Sequence, residues 1–333
     1  MRDIFKIIIL KIKSFIRMIK VLITKSSNGH KESLIGMKSL LYEARQMCLI
    51  ANDLLIFLNR NHPEIIKNDS KKYSLLILKA AIQRMDSCIV LLENGSSMFM
   101  TKNNIARIDP FSIACLVRSI YESMVVHYYY LYAHPNDCFT NILISLWKMS
   151  GIKNRLVIEP KEETLKIKYE HDKEEYDKLK EQIKLSEIYK SSTDQKLLKK
   201  AMNELVLLVF QKNGDLYDVK QTHYGTASKE IFAGTYLEPL SQSVYKFLSA
   251  ISHPSYLNCI QTGEYSGLYN KYTETVFEGG IIFLKKLLDN ILQVIPEGRD
   301  YITNLPQNKR ICFSKWGQYK APTSNAGAEV FGL

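Results

Sequence analysis

Glycine and proline are scarce in this chain, with fifteen and nine among 333 residues. Most stand between apolar-periodic segments. A chain so poor in breakers is expected to be helical rather than a many-turned β-sandwich. The six cysteines (48, 88, 115, 138, 259 and 312) include no C-x-x-C pair and no regular spacing. That argues against a disulfide-stapled scaffold and against a cysteine metal site. Cys48, Cys88 and Cys115 fall inside apolar runs, where a thiol acts as a small hydrophobe. All six are read as reduced, structural residues of a cytoplasmic protein.

The N-terminus lacks the unbroken apolar stretch of a signal peptide or a membrane span, because Lys11, Lys13 and Arg17 interrupt it. G-x-x-x-x-G-K-[ST], G-x-G-x-x-G and H-E-x-x-H are all missing. The string G-E-Y-S-G around Ser266 misses the nucleophile-elbow spacing by one residue. These absences count against P-loop NTPases, Rossmann dehydrogenases, zincins and α/β-hydrolases.

What is present is the balance of an ordinary globular chain, 46% hydrophobic and 24% charged. The net charge of +11 is concentrated at the ends. Residues 1–25 carry Arg2, Lys6, Lys11, Lys13, Arg17, Lys20 and Lys25 against Asp3 alone. The stretch from Arg299 onward adds five bases against Asp300 and Glu329. At the helical step of about 100° per residue, Arg2, Lys6, Lys13, Arg17 and Lys20 cluster within about 60°. Residues 1–28 are therefore expected to form a basic amphipathic helix. It suits packing on the domain or on a second subunit. It also suits an anionic membrane surface, reached through residues 1–24.

From residue 31 to 295 the pattern is helix after helix. Leu40, Leu41, Ala44, Met47, Cys48, Ala51, Leu54, Leu55 and Leu58 recur at steps of three and four before Pro63. A second helix is expected from Asp69 or Ser70 to Gly95, and a third from Asp109-Pro110 to His134-Pro135. A fourth runs from Asn136 to Gly151. Residues 161–200 hold eleven Lys and ten acids, which reads as a long solvated helix. Paired with 194–212, stopped at Gly214, it predicts a charged helical hairpin over 160–212. Helices resume at 235–253 and 272–295, and 299–333 are expected to be an extended tail. The fold class is all-α.

Two strings carry candidate chemistry. In A-C-L-V-R-S-I-Y-E-S-M-V-V-H, Arg118 and Glu122 are four apart and share a helix face. A charged pair on so apolar a helix is either a packing ion pair or part of a cleft. In F-L-S-A-I-S-H-P-S-Y, Ser249 and His253 are four apart at a helix end that Pro254 terminates. A histidine there either caps the last carbonyls or acts as a general acid or base. His171, Asp172, Glu174 and Glu175 have metal-ligand chemistry, but in so charged a helix their proximity is best explained by chance.

An apolar helix with R-x-x-x-E, followed much later by S-x-x-x-H-P-S, resembles a group of bacterial all-helical proteins of HEPN-like kind. The resemblance spans residues 31–290 and rests on Arg118, Glu122, Ser249, His253 and Ser255. It implies a helical bundle that often dimerises and, in many members, metal-independent ribonuclease activity in defence or stress systems. It implies RNA as partner, a homo-oligomer as assembly and no cofactor. Nuclease members carry Arg followed four to six residues later by His. No histidine here stands at that distance; from Arg118 to His127 is nine residues. A substitute site would combine Arg118 with His253. His253 would take the proton of a 2′-hydroxyl or a water, and Arg118 would stabilise phosphate charge. Glu122 would orient Arg118, and Ser249 or Ser255 would position His253. The alternative is a non-catalytic interaction module whose ends recruit a partner protein or a membrane.

Overall fold

The computed structural model describes residues 37–94, 110–133, 137–233, 238, 245–250 and 266–315. The basic segment 1–28 therefore lies outside the described residues. The molecule is mostly helical, as the scarcity of breakers predicts.

Four long helices build the main core: α1 (Met37–Asn61), α2 (Asp69–Asn94), α3 (Pro110–His127) and α9 (Ser266–Val294). On α1 the predicted apolar positions Leu40, Ala44, Met47, Cys48, Ala51, Leu54, Leu55 and Leu58 are all buried. A 3-10 turn, Pro63–Lys67, reverses the chain into α2. The centre is α3, with Ile113, Ala114, Val117, Ile120, Tyr121, Met124 and Val125 all sealed from solvent. It packs against both α2 and α9. Gly280 lets α9 come this close, since a Cβ there would meet a Val117 methyl at 3.0 Å and Met85 at 3.1 Å. Cys48 and Cys88 are buried as expected, and burial pushes the Cys88 thiol up to about 12. Cys115 departs from expectation: it sits on the exposed side of α3, the apolar run around it being wide enough to cover more than the core-facing arc.

The end of α3 loosens into a π turn, Tyr128–Tyr132. The wider turn distributes the tyrosine triplet over different neighbours. Tyr130 donates its hydroxyl to the Val206 carbonyl (2.6 Å), and Tyr129 donates to the Glu230 carboxylate.

The second half of the fold corrects the predicted helical hairpin. Its first arm is α5 (Glu163–Leu185), lying on α4 (Asp137–Arg155). It stops at Ser186, whose side chain caps the one-turn helix α6 (Glu187–Lys190) by accepting from the Tyr189 N–H. The second arm is helical only over its first part. After α7 (Gln195–Ala201) the chain forms an antiparallel hairpin of β1 (Leu208–Asn213) and β2 (Leu216–Gln221). Asn213 pairs with Leu216 across the loop, and Gly214 there has φ +62°. Gly214 is thus a hairpin turn residue rather than a helix stop. A short helix, α8 (Tyr224–Ile231), returns the chain to α3.

The predicted extended tail is also corrected. Its first part forms α10 (Arg299–Thr303) and α11 (Gln307–Lys315), which dock on α1. Leu305, Cys312 and Phe313 are buried, Lys309 pairs with Asp53 at 2.9 Å, and the Phe313 ring lies 4.0 Å from the Lys285 ammonium. Leu305, Cys312 and Phe313, with Tyr301 and Ile302 partly buried beside them, hold this segment down; so few apolar positions without a helical period give no sign of it in the sequence. Residues 316–333 lie outside the described part.

Candidate functional site

Helix α3 presents two kinds of residue at its outer side. Its apolar arc is consumed by α2 and α9, which leaves Arg118 and Glu122 one turn apart at the margin. The Arg118 Nε donates to Glu122 Oε1 at 2.8 Å. Both side chains are half-buried, at 20% and 34% exposure. Burial works against the Arg118 charge, but the bond and charge of Glu122 outweigh it and hold the guanidinium above its usual value. The guanidinium therefore keeps its charge beside Glu122.

Aromatic residues wall this corner. The Arg118 guanidinium carbon lies 5.6 Å from the ring centroid of Tyr245, within cation–π range. Tyr245 stacks at 5.5 Å on Tyr224, at the start of α8, and at 5.5 Å on Tyr121, on α3. The Tyr121 hydroxyl donates to the Tyr224 carbonyl at 2.6 Å, locking α8 to α3. Burial raises the Tyr121 and Tyr224 hydroxyls well above the usual tyrosine value, so both stay protonated.

Of the residues singled out from sequence, the structure brings Arg118 and Glu122 together. Ser249 lies in the helical segment 245–250, one turn after Tyr245 and so on the same face. This segment is the neighbour of Arg118 through the Tyr245 ring. His253 and Ser255 lie outside the described residues. The aromatic wall was missed because Tyr121, Tyr224 and Tyr245 meet only through tertiary contacts. One local signal was available: Tyr245, Ser249 and His253 follow one another at steps of four.

Elsewhere the structure places ligand atoms of His171, Asp172 and Glu175 within 4.8 Å of one another. Both Asp172 oxygens are already engaged by Arg155, at 2.7 and 2.8 Å. That bond, ahead of the neighbouring charges, holds the carboxyl below its usual value. The cluster is accounted for as an ion-paired helix surface.

Among the described residues no helix is long and apolar enough to cross a membrane. Comparisons of the chain with protein-family models, with curated proteins and with solved structures find no match.

Proposed function

We propose that the chain is a HEPN-like helical protein that binds RNA at the Arg118 corner and cleaves it without a metal. One observation carries the reading. The guanidinium on α3 is held by Glu122 and set against Tyr245, on the four-residue ladder that continues through Ser249 to His253. A guanidinium oriented by a carboxylate and an aromatic face is suited to stabilising charge on a phosphate. Of the tyrosine wall, the partly exposed Tyr224 and Tyr245 are the rings an unpaired base can contact, Tyr121 being sealed from solvent. In this reading Arg118 stabilises phosphate charge, Glu122 orients it, and His253 transfers the proton. Ser249 or Ser255 positions His253.

The test is cleavage and binding of a mixed RNA pool in EDTA. Wild type is compared with Arg118→Ala, His253→Ala and Tyr245→Ala, with thermal melts alongside. The expected outcome is cleavage by wild type and loss of about 100-fold or more in the first two variants, with little change in melting. Tyr245→Ala should weaken RNA binding more than it slows the bound reaction. If wild type neither binds nor cleaves RNA, the reading falls, and the corner becomes the packing surface of an interaction module.

A further inference from the structure

The outer surface of α1 and α2 shows a different pattern from the Arg118 corner. On α1, Tyr42, Leu49 and Ile56 recur at intervals of seven, which keeps them nearly in line along the helix. On α2, Leu76 and Val90 are fourteen apart, with Gln83 at the position between them. All five apolar side chains are exposed, from 40% for Ile56 to 56% for Tyr42. The two helices are joined by a short turn and run antiparallel, and Arg45 bridges the seam to Glu93. The apolar rows therefore lie side by side on a two-helix raft. From Tyr42 to Ile56 the α1 row is about 21 Å long.

Bases outnumber acids along the rows: Asp53 on α1 and Asp69 on α2 lie within about 20° of Tyr42 and Leu76, but each is paired with a lysine, Lys309 at 2.9 Å and Lys148 at 2.7 Å. Exposed Lys38, Arg45 and Arg60 lie within about 60° of Tyr42 on α1, and Lys72 and Lys79 flank Leu76 on α2. The exposed acids Asp86 and Glu93 fall toward the seam, where Arg45 takes Glu93. Residues 1–25, which enter α1 after only eleven more residues, repeat the same chemistry, with seven bases, one acid and many apolar side chains.

We propose that the outer face of α1 and α2 docks on an anionic lipid bilayer. A surface that is apolar along its centre and basic beside it matches the acyl boundary and the headgroups together. Other partners fit less well. A second copy packed by a two-fold axis would set this basic row against the same basic row. An RNA strand would find one aromatic side chain here and four aliphatic ones, which give no stacking platform. Two parallel exposed rows on neighbouring helices present contacts to a plane along their whole length.

The experiment is flotation of the full-length protein with vesicles of phosphatidylcholine alone or mixed with phosphatidylglycerol. The apolar variant combines Leu49→Gln, Ile56→Gln and Val90→Gln. The charge variant combines Lys38→Gln, Arg60→Gln and Lys72→Gln. All six positions are exposed, so the core is untouched, and melting and size-exclusion profiles check this. Wild type should float with the anionic vesicles and not with the neutral ones. Each variant should partition about tenfold less or weaker still. Partitioning of the variants equal to wild type would overturn the proposal, as would failure of wild type to float. A change of assembly size in the apolar variant would instead assign the face to a second copy. Loss of RNA binding in the charge variant, without loss of flotation, would assign it to RNA. Either result would also overturn the proposal.

Discussion

Two arginine–carboxylate pairs in this molecule look alike in a contact survey and differ in what they join. Arg155 on α4 reaches Asp172 on α5 with two parallel bonds, and the carboxylate is almost sealed at 8% exposure while the arginine is 52% exposed. This pair ties two helices together. Arg118 reaches Glu122 with one bond, inside one helix, and both partners are partly open. A pair within one turn adds only tenths of a kilocalorie to a helix. Its geometry orients a guanidinium against an aromatic wall instead. A forked pair across elements holds the fold together, whereas the local pair sets a guanidinium beside stacked rings.

The largest expected effect sharpens that contrast by exchanging readouts. Arg118→Ala should reduce RNA cleavage by about 100-fold or more, with melting nearly unchanged. Asp172→Ala should leave RNA cleavage within about twofold of wild type. It should cost about 2 kcal/mol in a denaturant titration, because a buried end of an interhelical pair is lost. If Asp172→Ala abolishes cleavage, or Arg118→Ala unfolds the protein, the distinction between the pairs is wrong.

A second effect comes from the inner side of α3. His127 is fully buried, its Nε2 lies 3.0 Å from the Ser74 hydroxyl, and its Nδ1 has no hydrogen-bond partner. Ser74 already donates to the Ser70 carbonyl, so Nε2 must carry the proton that His127 donates. Burial lowers its pKa from the ordinary 6.5 to about 3. Between those values the unfolded chain takes up a proton that the folded chain refuses. The stabilisation is therefore complete above pH 6.5 and is lost as pH falls toward 3, by about 1.4 kcal/mol per pH unit. His127→Gln, which keeps a donor but does not titrate, should flatten that part of the stability–pH profile measured by urea titration. An unchanged slope would show that other groups control acid stability.

The smallest effect lies in the same half of the fold as Asp172. Gly214→Ala forces a left-handed turn residue to carry a Cβ and should cost about 1 kcal/mol in the same titration, with RNA cleavage unaffected. Little or no cost would mean that the β1–β2 turn adjusts freely.

The main bundle was legible in the sequence because its helices are long and their apolar steps regular. On α1 the predicted apolar positions are buried except Leu41, while Ile50 joins them unpredicted, and Asp109-Pro110 marks the start of α3 within a residue. The hairpin was not, because Val206 to Phe210 is an unbroken apolar run that carries no period, and a charged helix stands just before it. Gly214-Asp215, the two residues between the paired Asn213 and Leu216, was the turn signal that outweighs such ambiguity. In the candidate site, the Arg118–Glu122 pair was legible because it is local. The tyrosine wall was not, since stacking of residues 121, 224 and 245 depends on how α3, α8 and the 245–250 segment pack. The docked α10–α11 segment fails for the same reason: Leu305 and Phe313 acquire meaning only from the α1 and α9 surfaces they cover.

The tyrosine hydroxyls of α3 and its π turn bear on the order in which the molecule assembles. Tyr121, Tyr129 and Tyr130 reach partners that are 103, 101 and 76 residues away in the chain. Each bond closes a large loop, whose entropy must be spent before any of the three forms. The acceptors all lie between Val206 and Glu230, so this stretch is seated as one piece against a surface that α3 must already present. Loop-closure entropy therefore favours completing the wall of the Arg118 corner after the bundle behind it, an order that φ-values at Tyr121 and Tyr130 below those of the α2–α3 core would show.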